Sequence, residues 1–428
     1  MTTSEVLNFT EMPIVDNGIE RFEFHEYEPN NGTNLNAGQI TINIEQQFLF
    51  TLPSEGFLSF EGQTVKADGT AYANADAVAL TNNGIMHLFS EISYKLSNQN
   101  IETIFNPGQA TTMLGMLKYP NNFQLAQGLN QLWYKDSSTT AVLADNSGFA
   151  LRQVYIIQKP TKKETFSFCV PLRHIFGFCY DYYKVIYGLK HTINLVRQSD
   201  DDAIFKLASV AAVKVNLNKI SLFMPHVLPS DEERFKLYKQ IKSKVTLPVS
   251  FCQRQCDSIS VPEDTSFSWR LSLKLSPDNP RHIIVGFQTN KRLDQNANAS
   301  IFDHNDLKNM YIMLNQERYP AVDYNLSFPN QQISRVYRDA AVFIEKFYGM
   351  NELITQSNIN LSDYKDLYPL FAFNISNQSE RLKSTTTDVK IKATFNTAVP
   401  AGTMAYAVVI SDRMIEFQSD GNKMNIFY

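Results

Sequence analysis

Two stretches of this chain, roughly two hundred residues apart, pass through the same succession of elements. In the first, an apolar strand ending Ile92-Ser93-Tyr94-Lys95-Leu96 is followed by Asn98-Gln99, a second apolar stretch, Pro107 and a helical pattern. In the second, Tyr311-Ile312-Met313-Leu314 is followed by Asn315-Gln316, an apolar stretch, Pro329 and a helical pattern. Each half continues with an aromatic strand containing proline (166–171; 368–373), an alternating strand (192–196; 389–394) and a closing strand (213–223; 405–417). The order repeats although the residues do not. Such a period is far too long for a solenoid, so the chain reads as two copies of one domain. Its 428 residues suit two units of about 200 each.

The repeated domain is rich in β-structure. Phe (30) and Tyr (20) are abundant beside only two Trp, and Asn- and Gly-rich punctuation separates the apolar runs. Ile40, Ile42, Ile44, Phe48 and Phe50 alternate with polar residues, which predicts a strand over 39–52. Further strands are expected at 56–65, 85–96, 99–105, 149–158, 165–171, 191–197 and 212–225. The second half is expected to add 245–256, 266–275, 282–289, 309–316, 367–375, 388–396, 403–411 and 414–417. Residues 1–38 read as an N-terminal arm with a sticky stretch at Ile19, Phe22, Phe24 and Tyr27. The aromatic run 172–189 fits neither strand nor helix firmly.

Helices are few. Met113, Leu114 and Leu117 predict one over 109–119, and Phe123, Ala126, Leu129 and Leu132 a second short one over 121–133. Ile333, Val336, Tyr337, Ala340, Phe343, Ile344 and Phe347 follow helical spacing, with Gly349 where a C-cap belongs. Between the halves, Ser230 and Glu233 fit a capping box, acids fill the first turn and Lys239, Lys242 and Lys244 end the segment. Residues 231–244 are thus expected as a linker helix with a thin seam of Phe235, Tyr238 and Ile241. The organisation expected is an arm (1–38), a first domain (39–229), a linker (230–246) and a second domain (247–428).

Composition excludes several function classes. A net charge of −4 argues against a polybasic nucleic-acid binder. No run approaches 18 apolar residues, so no membrane span is expected, and the start lacks a basic region followed by an apolar one, so no signal peptide. The four cysteines, Cys169, Cys179, Cys252 and Cys256, form no CxxC and read as reduced thiols. Cys252 and Cys256 would lie ~13 Å apart on a strand.

Catalytic, cofactor and metal residues are all expected to be absent. The histidines (His25, His87, His174, His191, His226, His282, His304) make no HExxH or HxH, and there is no GxxxxGK[ST] or GxSxG. His174 lies between Cys169 and Cys179, within what reads as a packed aromatic region. Asp200-Asp201-Asp202 and Asp303-His304-Asn305-Asp306 read as solvated loops rather than cation sites. Lys236, Lys239 and Lys242 read as solvated, and the Asn-x-Ser/Thr sites at Asn31, Asn298, Asn325 and Asn374 as accidental.

About eight short strands per domain with little helix point to two tandem jelly-roll β-sandwiches. The Cys–Trp–Cys framework of an immunoglobulin sandwich is missing. Three stretches resemble the double jelly-roll major capsid proteins of tailless double-stranded DNA viruses and Polinton/Maverick-type elements, including relatives integrated in arthropod genomes. They are Met86-His87-Leu88-Phe89-Ser90-Glu91-Ile92-Ser93-Tyr94, Val170-Pro171-Leu172-Arg173-His174-Ile175-Phe176-Gly177-Phe178 and Val408-Val409-Ile410-Ser411-Asp412-Arg413. The resemblance implies a non-enzymatic shell protein, made inside the host cell, whose homotrimers form pseudo-hexameric capsomers of an icosahedral virion. It implies neighbouring capsomers and penton or minor capsid proteins as partners, and at most weak nonspecific contact with packaged DNA. It also implies exposed loops within 109–148 and 290–330. Two other readings fit the same pattern: a jelly-roll carbohydrate-binding or host-attachment protein, and a domesticated capsid-derived host protein.

Overall fold

The computed structural model describes residues 18–30, 32–46, 49–68, 72–156, 165–244, 246–273, 279–349, 357–377, 388–419 and 424–427. Residues 1–17 of the expected arm, with Asn31, Phe48 and Val245, lie outside these residues.

Beside short strands at Phe50–Thr51, Val78–Leu80, Ile186–Tyr187 and Ile204–Lys206, the first half contributes β1 (Ile19–Tyr27), β2 (Gln39–Ile44), β3 (Phe57–Lys66), β4 (Phe89–Leu96), β5 (Gln99–Phe105), β6 (Thr165–Pro171), β7 (His191–Arg197) and β8 (Val213–Pro229). The second contributes β9 (Thr246–Ser260), β10 (Ser266–Arg270), β11 (Pro280–Thr289), β12 (Leu307–Leu314), β13 (Glu317–Tyr319), β14 (Phe371–Asn374), β15 (Val389–Phe395) and β16 (Thr403–Ser419). Alternation decides which face each strand buries: Ile40, Ile42 and Ile44 of β2 are fully buried, and so are Leu58 and Phe60 of β3.

Pairing is antiparallel throughout. One sheet of the first half runs β1-β8-β3-β6 and the other β2-β7-β4-β5. The second half repeats both orders eight strands later, as β9-β16-β11-β14 and β10-β15-β12-β13. Each half is therefore a jelly roll, two four-strand-wide sheets closed over a core of their inward residues. The β4–β5 hairpin turns through Ser97 and Asn98, both at positive φ, as a two-residue loop between right-twisted strands requires.

The longer helices on the sandwiches, among the described residues, are α1 (Pro107–Lys118), α2 (Ser147–Ile156), α3 (Asp231–Lys242), α4 (Ser334–Ala341), α5 (Phe343–Tyr348) and α6 (Leu361–Asp366). Helix α2 replaces the strand expected over 149–158. Asn146 Oδ1 accepts the Phe149 amide at 3.1 Å, and the helix buries Phe149, Arg152 and Gln153 at i, i+3 and i+4. Residues 121–133 form two 3₁₀ turns, Asn121–Leu125 and Gln127–Gln131. The run 172–189 resolves into two short helical turns, Leu172–Ile175 and Gly177–Asp181, and a bridging strand Ile186–Tyr187.

Other expectations are corrected. The strand expected over 39–52 breaks after Ile44, and only Phe50–Thr51 resumes. The strand over 85–96 begins with a 3₁₀ turn at Met86–Leu88. The helix over 333–347 breaks at Val342, while Gly349 takes the left-handed conformation at its end. The two strands expected at 403–411 and 414–417 are one, because β9 pairs with β16 from Met404 to Gln418 without a shift. Ser230 makes no side-chain cap on α3. Within the expected arm, Ile19–Tyr27 is the first jelly-roll strand, in ladder with residues 222–229.

Candidate functional site

The most elaborate constellation of buried polar groups lies where the halves meet. Glu102 of β5, fully buried, is aimed at the second half: its Oε1 accepts the Arg254 amide of β9 at 2.7 Å, and its Oε2 accepts the Phe178 amide at 3.1 Å. Burial raises its carboxyl above the ordinary value, against the pull of the Arg254 guanidinium and three backbone amides. The Arg254 guanidinium crosses into the first half and donates to the carbonyls of Ile175 (2.8 Å), His174 (3.0 Å) and Arg173 (3.4 Å). Arg413 of β16 reaches the other way along β5, to the carbonyls of Ile101 and Asn100.

Backbones approach closely here. A Cβ on Gly177 would stand 1.8 Å from the Cys252 carbonyl oxygen, so only glycine permits the contact. Beside it, the Cys252 amide donates to Asp181 at 2.6 Å, and Phe178 packs edge-on to Phe251 with centroids 5.2 Å apart. Lys118, at the end of α1, is buried with no hydrogen-bond partner for its ammonium among the described residues. The ammonium lies 4.0 Å from the Tyr180 ring centroid and 5.2 Å from that of Phe347. Burial, with Arg254 adding repulsion, holds its pKa well below the ordinary lysine range.

The joint continues beyond these groups. Asp202 accepts the Leu293 amide at 2.7 Å and Asp201 accepts from the Gln295 side chain at 2.8 Å, so these two acids tie the halves together, while Asp200 holds Arg197 and the Val215 amide within the first half. Asp136 is ion-paired with Arg152 at 2.6 Å and accepts from Ser300 of the second half at 3.2 Å. Lys135 bridges to Asp363 at 2.8 Å. Within 109–148 and 290–330 exposed loop segments are present, at Leu125, Val142, Leu293 and Val322 among others, but they alternate with buried stretches. Helix α1, Trp133, Asp136, Ile301 and Phe302 are buried because the halves cover one another.

The other residues singled out from the sequence are occupied by packing. His174 bonds Gln131 at 2.7 Å and packs beside the Tyr119 and Phe123 rings, and burial lowers its pKa to about 2. Burial lowers His87 and His191 to about 3 and pushes the Cys179 thiol well up. Asp303 pairs with Lys291 at 2.7 Å, and His304 stacks on Phe328. Lys236 pairs with Glu232 and Glu233. Among the described residues no group of three or more His, Cys, Asp or Glu is placed to hold a metal ion, and no helix is long and apolar enough to cross a membrane.

Two jelly rolls in tandem, locked by charge and backbone at one joint, set the terms for comparison. A profile of the double jelly roll-like domain matches residues 78–415. The chain belongs to the double jelly roll-like domain family. Three similar solved structures cover nearly all of it. The structure of the Sputnik virophage matches with a TM-score of 0.66 at 10% identity, over 100% of this chain and 92% of that one. The Faustovirus major capsid protein matches at 0.57 and 10%, over 97% and 94%. The mavirus major capsid protein matches at 0.51 and 12%, over 100% and 93%. Comparison with curated proteins finds no match.

In this double jelly roll, two of the three stretches that carry the resemblance meet at the joint. Residues 170–178 supply Gly177, Phe178 and the carbonyls held by Arg254, while 408–413 ends in Arg413. Glu102, Arg254 and Asp181 escaped the sequence reading. The one available signal was a carboxylate, Glu102, set between Ile101 and the Ile104-Phe105 pair.

Proposed function

We propose that this chain is a non-enzymatic structural subunit of an icosahedral virion capsid, and that three copies form one pseudo-hexameric capsomer. The observation that carries the reading is the likeness in fold to the Faustovirus and mavirus major capsid proteins over both jelly rolls. The buried joint supports it, since it makes the two jelly rolls one rigid block, as a tile in a facet must be. Glu102, Asp181, Asp202 and Arg254 at the joint are spent on structural bonds, which supports a role in assembly rather than in chemistry. Neighbouring capsomers and penton or minor capsid proteins are the partners this role requires. The net charge of −4 suits a shell that touches packaged DNA weakly and without sequence preference.

Light scattering on the purified protein, with negative-stain images of the same peak, tests the proposal. The expected result is a mass near three times 48.8 kDa and a pseudo-hexagonal outline. A monomer at micromolar concentration, unchanged by salt or divalent ions, would overturn it.

A further inference from the structure

Lys118 ends α1 deep in the joint, and nothing there bonds its charge. Only 2% of the residue is exposed, and its ammonium has no hydrogen-bond acceptor among the described residues. The faces of the Tyr180 and Phe347 rings attract it, yet a ring face takes up none of its donor bonds. Burying an unpaired charge is costly, and a methionine would fill the same space without that cost. The lysine is therefore to be explained by what its charge can hold.

Lys118 lines a cleft of about 420 Å³. Of the side chains around it, Glu55, Gln127 and Tyr183 are exposed and Arg173 is half-buried, whereas Tyr119 and Cys179 are buried with Lys118. The cleft thus leads from solvent down to the lysine. Both halves build it, since Arg173 and Tyr180 come from the first and Tyr348 of α5 from the second.

The charge inside favours an anion. His174, on the cleft wall, is held neutral by burial and by the cations Lys118, Arg173 and Arg254. The carboxylates nearby are engaged or at the rim. Asp181 holds the Cys252 amide, Glu102 holds the amides of Arg254 and Phe178, and Glu55 lies 3.6 Å from Arg173 with half its side chain in solvent. The Arg254 guanidinium is spent on backbone carbonyls and adds field rather than bonds. Arg173, with that single loose ion pair, keeps donors to spare. Tyr348 donates its hydroxyl to Tyr180, whose own proton is left to give. Donors on α1, α5 and the turns Leu172–Ile175 and Gly177–Asp181 surround the cleft from more sides than a planar carboxylate presents. They suit the tetrahedral oxygens of a phosphoryl group.

We propose that this cleft binds a phosphoryl oxyanion, with Lys118 and Arg173 as its charged ligands and the Tyr180 hydroxyl as a neutral one. Such an anion touches groups from both halves, so its binding braces the joint and favours the folded chain. The site belongs to a single chain, whatever its assembly state.

Isothermal titration calorimetry on the full-length protein at constant ionic strength tests this with inorganic phosphate, phenyl phosphate and acetate. Phosphate is expected to bind at one site per chain, and acetate at least about tenfold more weakly. Lys118→Met and Arg173→Gln should each weaken phosphate binding by about 10–100-fold, the loss of one charge-assisted bond. In phosphate-free buffer Lys118→Met is expected to keep or raise the parent's unfolding midpoint, because it removes an unpaired buried charge. A lysine kept for its ring contacts alone would instead give a lower midpoint with phosphate binding unchanged. Should Lys118→Met fail to fold, Arg173→Gln carries the test, its side chain being 40% exposed. A parent that takes up no phosphate, or variants that bind it as tightly as the parent, overturn the site. Phenyl phosphate binding more tightly than phosphate supports the site and places its ligand among phosphate esters; weaker binding supports it for the free anion.

Discussion

His191 is buried between two hydroxyls, with Nδ1 2.7 Å from Tyr94 Oη and Nε2 2.8 Å from Thr51 Oγ1. Both bonds suit a neutral ring, one nitrogen donating and the other accepting. Burial, with His226 adding repulsion, lowers its pKa to about 3. In the unfolded chain the same ring takes its proton near 6.5, so its contribution is complete above that pH and is lost as pH falls toward 3. At pH 5 the loss is about 2 kcal/mol. His87 acts in the same sense. Glu102 acts in the opposite sense: its raised carboxyl binds a proton more readily folded than unfolded, so stability returns as pH falls from its folded value toward 4.5. Urea unfolding at pH 7 and pH 5 should therefore show the parent losing about 2 kcal/mol more than His191→Gln. Equal losses in the two proteins would remove His191 from the account.

Capping separates helices that look alike in sequence. Asn360 accepts the Asp363 amide at 2.8 Å and is a working N-cap on α6, whereas the Ser230 side chain, despite the capping-box spacing, makes no cap bond on α3. Asn360→Ala should cost about 1 kcal/mol and Ser230→Ala a few tenths, roughly, measured by denaturant midpoint. A Ser230 loss as large as that of Asn360 would contradict the geometry. The strands were readable because each buries one face and alternation records it, as in Ile40, Ile42 and Ile44. Helix α2 was misread because its buried positions include the polar Arg152 and Gln153, which hide a 3.6-residue period behind β-favouring neighbours. The fusion of 403–419 into one strand follows from a neighbour in space, β9. The joint was the least readable part. Arg413 and the Ile101 carbonyl it holds are 312 positions apart, and no local spacing encodes that pair.

One hydrophobic cluster runs through both halves, from Ile40 to Ile426, so the molecule should unfold as a single unit. Calorimetry of the parent is expected to give one transition. Arg254→Ala, which leaves the carbonyls of residues 173–175 without their donor, should lower stability by about 2–4 kcal/mol and split the melt into two steps. Two steps in the parent would show that the joint does not couple the halves. The joint also has a history during synthesis. Glu102 and Arg254 are 152 residues apart, and at about 5–20 residues per second the first waits about 8–30 s for the second. Through that interval the nascent first half presents α1 and a bare carboxylate to every finished copy nearby. What protects it is the tether: a second half delivered through α3 arrives at an effective concentration of about millimolar, ahead of any free molecule. Translation speed and linker length, rather than affinity, thereby keep each chain's second half paired with its own first.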